Sequence, residues 1–141
     1  PHLARAMVER GYVKSVNEAF ARFLYDGGPV HITKTRLTAA EGIELAKDLG
    51  GVAVLAHPGV SGWLGELDRF VAMGLEGVEV YHPKHGGETI AKVLRYCRDK
   101  ELLVSGGSDF HSPGDGPDIG SARVPEDLLE PPRERASRRQ G

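Results

Sequence analysis

Three short strand-like segments begin at Val52, Gly77 and Leu102, a repeat of 25 residues, and a helix-forming stretch fills each gap. Strand–helix–strand units of this length build a parallel sheet with right-handed crossovers, so the repeat confines this part of the chain to an α/β fold. Val52-Ala53-Val54-Leu55-Ala56 is a continuous apolar run, the pattern of a strand covered on both faces. The helices between the strands are predicted from Leu64, Leu67, Phe70 and Val71, and from Ile90, Val93, Leu94 and Cys97. Cys97 falls on that second apolar stripe and reads as a packing residue.

Ahead of the repeat the pattern is helical. Leu3, Ala6 and Met7 keep helical spacing as far as Gly11, and Ser15 with Glu18 has the spacing of a capping box. The second helix then carries Val16, Ala19, Phe20, Phe23 and Leu24 until Asp26-Gly27-Gly28-Pro29 ends it, with Val30 to Ile32 expected as a short extended piece. Thr38 with Glu41 forms another box, opening a helix through Ile43, Ala46 and Leu49. Beyond about residue 112 the pattern decays, and the four arginines between Arg133 and Arg139 read as a solvated tail.

A chain of 141 residues fits one ordinary domain, and 40% apolar with 27% charged residues is a globular composition. The net charge of −2 excludes a basic nucleic-acid surface spread over the whole molecule. No apolar stretch is long enough for a membrane span, no basic-then-apolar leader opens the chain, and Cys97 is a lone cysteine. A cytoplasmic setting without membrane contact is therefore expected.

The chemistry lies where the strands end. The first runs into His57-Pro58-Gly59, the second carries Glu79 and runs into His82-Pro83, and the third runs into Gly106-Gly107-Ser108-Asp109-Phe110-His111. Sites of parallel α/β folds form on that carboxyl rim because the strand-to-helix loops converge there. If the third segment is extended, Asp109 and His111 point to one side while Phe110 turns into the core. Mixed Asp and His donors suit Zn²⁺, Mn²⁺ or Fe²⁺, and Gly106-Gly107 would let a metal or substrate approach the backbone. The alternative is an Asp–His pair that fixes a loop. His57 reads as a further ligand or as a hydrogen-bonded strand-end residue. Glu79 reads either as a partner orienting a ligand histidine or as half of a packing ion pair. Trp63 reads as a lid or as packing, and His85 as solvated.

Ala53-Val54-Leu55-Ala56-His57-Pro58-Gly59, Gly77-Val78-Glu79-Val80-Tyr81-His82-Pro83 and Gly107-Ser108-Asp109-Phe110-His111 resemble, in order and spacing, later motifs of the polymerase-and-histidinol-phosphatase (PHP) phosphoesterases. The opening Pro1 to Ala6 and the stretch Tyr12 to Leu24 look like the helical insert of one branch, which includes nucleotide 3′,5′-bisphosphate phosphatases and a 5′-3′ exoribonuclease. The resemblance covers about residues 1 to 125. It implies the carboxyl-terminal part of a distorted seven-stranded (β/α) barrel: a helical insert over 1–37, βα repeats over 38–125 and a mobile tail over 126–141. A complete (β/α) barrel takes ~250 residues, so the other half of the barrel is an expected partner.

The same resemblance implies two or three divalent ions per complete domain, manganese first and zinc, iron or magnesium as alternatives. His57, Asp109 and His111 would be metal ligands. The family's amino-terminal His-x-His, its next Asp, a further His and a Glu are not among these 141 residues, so the isolated chain is expected to be inactive. Lys34, where relatives of this branch carry a basic residue, reads as a contact to the phosphate of a nucleotide, another phosphorylated small molecule or short RNA, or as an exposed surface lysine. His2, at a helix start, and His82, near the rim, are further expected contacts, with Glu79 behind the ligands. Histidinol phosphate cleavage, polymerase-associated exonuclease work and a non-catalytic metal-binding or interaction module are the rival functions.

Overall fold

The computed structural model describes residues 2–30, 37–114 and 116–140. Lys34 and most of the predicted extended piece Val30–Ile32 lie outside these residues. The chain divides into two compact units, Pro1–Arg36 and Leu37–Gly141.

In the first unit, α1 spans His2–Glu9 and α2 spans Val16–Ala19, which continues as a π-helical turn over Phe20–Leu24. Ser15 Oγ accepts the Glu18 amide at 3.1 Å, as the capping-box spacing requires. The glutamate reaches one residue further back than expected, accepting the Lys14 amide at 2.7 Å and pairing with Arg22. Those contacts hold its carboxyl below the usual carboxylate range. The small core of this unit is Ala4, Val13 and Ala19, ringed by Met7, Val8, Val16, Phe23 and Leu24. Leu3 and Phe20, both expected on the apolar faces, are instead exposed. The helix turns toward its core on Ala4 rather than on Leu3, one position round from the face that spacing alone selects.

The second unit opens with α3, Ala39–Asp48, under a complete capping box. Thr38 Oγ1 accepts the Glu41 amide at 3.2 Å, and Glu41 accepts the Thr38 amide at 2.7 Å. Three parallel strands follow in the order β1-β2-β3: Val54–Leu55, Gly77–Tyr81 and Leu103–Gly106. The crossovers hold two short helices, α4 (Pro58–Ser61) and α5 (Leu67–Ala72), and then α6 (Gly87–Asp99). The parallel α/β rhythm of the sequence is thus present, with β2 central and its Val78 and Val80 fully buried. Ile43, Leu67, Leu75, Val93 and Cys97 complete the core around those two valines. Burial pushes the Cys97 thiol up to about 11, consistent with packing rather than reactivity.

β1 departs from expectation. It has only two residues, Val54 is 37% exposed and Leu55 half-buried, although the sequence predicts cover on both faces. Among the described residues β1 is an edge strand with a neighbour on one side only. Its other side borders an open, largely apolar cleft of about 400 Å³, between α3 and Phe70. The Arg-rich end, expected as a mobile tail, is helical: a 3₁₀ turn over Glu126–Leu129 leads into α7, Glu130–Gln140. Among the described residues no helix is long and apolar enough to cross a membrane.

Candidate metal centre

All three strands deliver polar residues from their carboxyl ends. His57 follows β1 as the N-cap of α4, in left-handed backbone with φ 30° and ψ 56°. Glu79, on β2, accepts the His57 amide through Oε2 at 2.6 Å. Of the two readings of Glu79, neither a contact to the histidine ring nor an ion pair is present among the described residues; the contact is to the backbone of His57. His57 Nδ1 lies 2.7 Å from Ser61 Oγ, four residues on in α4. Ser61 was not singled out from sequence, though its one-turn spacing from His57 was the available signal.

After β3 the chain is not extended. Asp109 has φ 55°, a left-handed conformation that non-glycine residues adopt at a cost and that gathers at functional sites. The extended geometry that would put Asp109 and His111 on one side is therefore absent. His111 is exposed, with Nδ1 2.7 Å from the Asp109 carbonyl and 4.0 Å from its Oδ1. Phe110, expected in the core, is 36% exposed for the same reason: the backbone turns at Asp109 and carries the ring outward. Asp109 and His111 nonetheless share a hollow of about 270 Å³ with Lys84, Gly116 and Pro117.

His82 is buried, its side chain 1% exposed, with Nε2 3.6 Å from Asp109 Oδ2 and the ring centroid 5.5 Å from that of His57. The expected substrate contact is therefore turned toward Asp109 in this structure, not toward solvent. His85 is a clear correction. Expected to be solvated, it is buried between two backbone groups, with Nδ1 2.9 Å from the Val80 carbonyl and Nε2 accepting the Gly59 amide at 3.2 Å. A carbonyl can only accept and an amide can only donate, so the ring holds its proton on Nδ1. His85 thereby ties the end of β2 to the first turn of α4. His85→Ala is expected to cost about 2–3 kcal/mol of stability, because it leaves both backbone groups unpaired in a buried space. Denaturant unfolding of wild type and variant checks this.

Gly106 is a second correction. A Cβ there would stand 2.5 Å from Tyr81 Cβ and 2.6 Å from the Tyr81 carbonyl oxygen, so its missing side chain admits β2 rather than a ligand. Gly107 would meet only Glu79 Oε1, at 3.6 Å. Trp63 stands edge-on to Phe70 at 5.8 Å, a packing contact. His2 begins α1 in the first unit and is exposed.

Asp109, His111 and His57 are donors of the type that borderline divalent cations take, but among the described residues no three His, Cys, Asp or Glu side chains close on one ion position. Asp109 and His111 thus share one hollow beyond β3, while His57 stands at the carboxyl end of β1, on the far side of β2.

No family model matches the sequence. The chain is similar to phosphoesterases. It is 35% identical over 121 residues to a 3′,5′-nucleoside bisphosphate phosphatase of Chromobacterium violaceum, covering 82% of this chain and 42% of that protein. It is 32% identical over 126 residues to a phosphoribosyl 1,2-cyclic phosphate 1,2-diphosphodiesterase of Eggerthella lenta, 88% of this chain and 48% of the relative. Against the 5′-3′ exoribonuclease Rnm of Escherichia coli the identity is 31% over 117 residues, 79% and 40% of the two chains. A candidate metal-dependent phosphoesterase from Bifidobacterium adolescentis, solved by crystallography, superposes with a TM-score of 0.75 at 30% identity, over 96% of this chain and 49% of that one. The resemblance read from the three motifs thus holds over most of the chain, and within the phosphoesterases it holds for the bisphosphatase and exoribonuclease branch. The chain spans less than half the length of each of these relatives.

Proposed function

We propose that this chain is the carboxyl-terminal part of a PHP-type barrel that hydrolyses nucleotide 3′,5′-bisphosphates or the 5′ ends of short RNA, in a cytoplasmic enzyme. The observation that carries the reading is the polar rim at the carboxyl ends of β1, β2 and β3, in a chain 35% identical to a nucleoside bisphosphate phosphatase. In this proposal residues 1–37 are a helical insert, 38–125 are barrel repeats and 126–141 a peripheral tail, and the amino-terminal half of the barrel supplies the remaining ligands.

His57, Asp109 and His111 would hold divalent metal, manganese first. When bound, such ions activate water and neutralise the non-bridging and leaving oxygens of the phosphate. Asp109 contributes the negative charge that balances a dication, and His57 and His111 contribute neutral nitrogen donors. With Ser61 Oγ, 2.7 Å from Nδ1, accepting the ring proton, His57 would offer Nε2 as its lone-pair donor. Glu79 fixes where the His57 ring starts by holding its amide. Lys84, on the same hollow, adds a cation for phosphate, a task the proposal also gives to Lys34 and His2. A cyclic phosphodiester is the second substrate reading, favoured by the 32% identity to the Eggerthella diesterase.

The test is turnover by the complete polypeptide with Mn²⁺, on a nucleotide 3′,5′-bisphosphate, a short 5′-phosphorylated RNA, a ribose 1,2-cyclic phosphate and histidinol phosphate. Preference for either of the first two is expected. Preference for the cyclic diester selects the second reading. Activity confined to histidinol phosphate, or no hydrolysis by folded, metal-loaded protein, contradicts the proposal.

A further inference from the structure

His82 Nε2 is a buried side-chain nitrogen without a hydrogen-bond partner among the described residues. Its other nitrogen is committed, since Nδ1 accepts the Lys84 amide at 3.1 Å. An imidazole that accepts at Nδ1 carries its proton on Nε2. His82 therefore presents an N–H, not a lone pair, which excludes Nε2 as a metal ligand in this arrangement. What that N–H faces is Asp109 Oδ2, at 3.6 Å.

We propose that His82 is a positioning residue: its Nε2–H holds Oδ2 of Asp109 and so leaves Oδ1 as the oxygen offered to a cation on the rim. Three observations combine in this. The ring is locked from behind by the backbone of Lys84 and flanked by the rings of His57 and His85, at 5.5 and 5.3 Å, so it has little freedom to turn away. Asp109 reaches toward it from left-handed backbone, and its other oxygen already lies on the His111 side. A carboxylate movement of roughly 0.7 Å brings the 3.6 Å gap to an ordinary hydrogen bond and satisfies the orphaned donor. The inference rests on the reading of Asp109 as a ligand and adds what aims it.

The test uses two substitutions that divide the ring's two contacts. In His82→Asn the side-chain oxygen replaces Nδ1 as acceptor for Lys84, and the donor to Asp109 is lost. In His82→Gln the longer side chain returns an N–H to the Nε2 position. Mn²⁺ affinity of the complete polypeptide, measured calorimetrically, is expected to fall about 10- to 100-fold in His82→Asn and to recover to within a few-fold of wild type in His82→Gln. If His82 serves only to anchor the Lys84 loop, the order reverses, and that order overturns the proposal. Equal affinity in wild type and both variants also overturns it. Long-range proton–nitrogen correlation spectra of the metal-free wild type give a readout independent of both variants: protonation at Nε2 is expected, and protonation at Nδ1 contradicts the proposal. Should Asp109→Ala keep its full metal content, the ligand reading itself fails. Should Asp109→Ala lose metal while His82→Asn does not, only the positioning role fails.

Discussion

Asp109→Ala in the complete polypeptide is expected to lose at least one bound ion and at least about 100-fold in turnover, roughly 2.7 kcal/mol of transition-state stabilisation. The carboxylate is the only anionic group lining the hollow that it shares with Lys84 and His111, Gly116 and Pro117 among the described residues. Without it, that hollow keeps the His111 donor and a lysine, whose charge repels a dication, and the negative charge needed to hold the ion is gone. The effect is expected on activity and metal content rather than on folding, because Asp109 is partly exposed and lies outside the apolar core. Lys92→Ala, an exposed change on α6, serves as the control and is expected to keep metal and turnover. Metal counting by elemental analysis, alongside the rate on a 3′,5′-bisphosphate, reads both effects. Full metal content with near-normal turnover in Asp109→Ala contradicts the ligand role.

The largest effect on stability is expected at Gly106. An added Cβ meets Tyr81 Cβ at 2.5 Å, the Tyr81 carbonyl oxygen at 2.6 Å and Val124 Cγ2 at 2.9 Å. Two of these atoms are fixed by the pairing of β2 with β3, which is already irregular between Glu79 and Tyr81. No side-chain rotation relieves the clash, so the strands must separate locally. Gly106→Ala is expected to cost about 3 kcal/mol, at the upper end of overpacking penalties, and to lower Tm by about 10 °C. Gly107→Ala, where only Glu79 Oε1 comes within contact distance at 3.6 Å, is expected to cost far less. Thermal unfolding of the two variants side by side makes the comparison, and equal losses would contradict this account of β2–β3 packing.

The parallel order of the strands and the helices between them were legible because each depends on local pattern: apolar runs, a 25-residue spacing and a capping box at Thr38 that forms as read. What failed depends on partners distant in sequence. The apolar run at Val52 is that of a covered strand, yet cover is a property of neighbours, and β1 has one on a single side among the described residues. The glycine at 106 marked a close approach correctly, but nothing in its local sequence said that β2 rather than a ligand approaches. His85 looked solvated because its surroundings, Pro83-Lys84 and Gly86-Gly87, are those of an exposed loop. Its burial comes from Gly59, 26 residues earlier, and from Val80. At the candidate site the residue types and their strand ends could be read. The left-handed turn at Asp109 could not, and it replaced the expected extended geometry with a different arrangement of Asp109, Phe110 and His111.

The central claim is that the carboxyl ends of β1 and β3 meet on one metal centre. Anomalous scattering from crystals of the complete polypeptide grown with Mn²⁺ tests it directly. The expected result is a manganese peak within about 2.3 Å of donor atoms of Asp109 and His111, and a peak on the same centre ligated by His57. Manganese bound without any of these three residues, or His57 ligating an ion on the opposite rim, would contradict it.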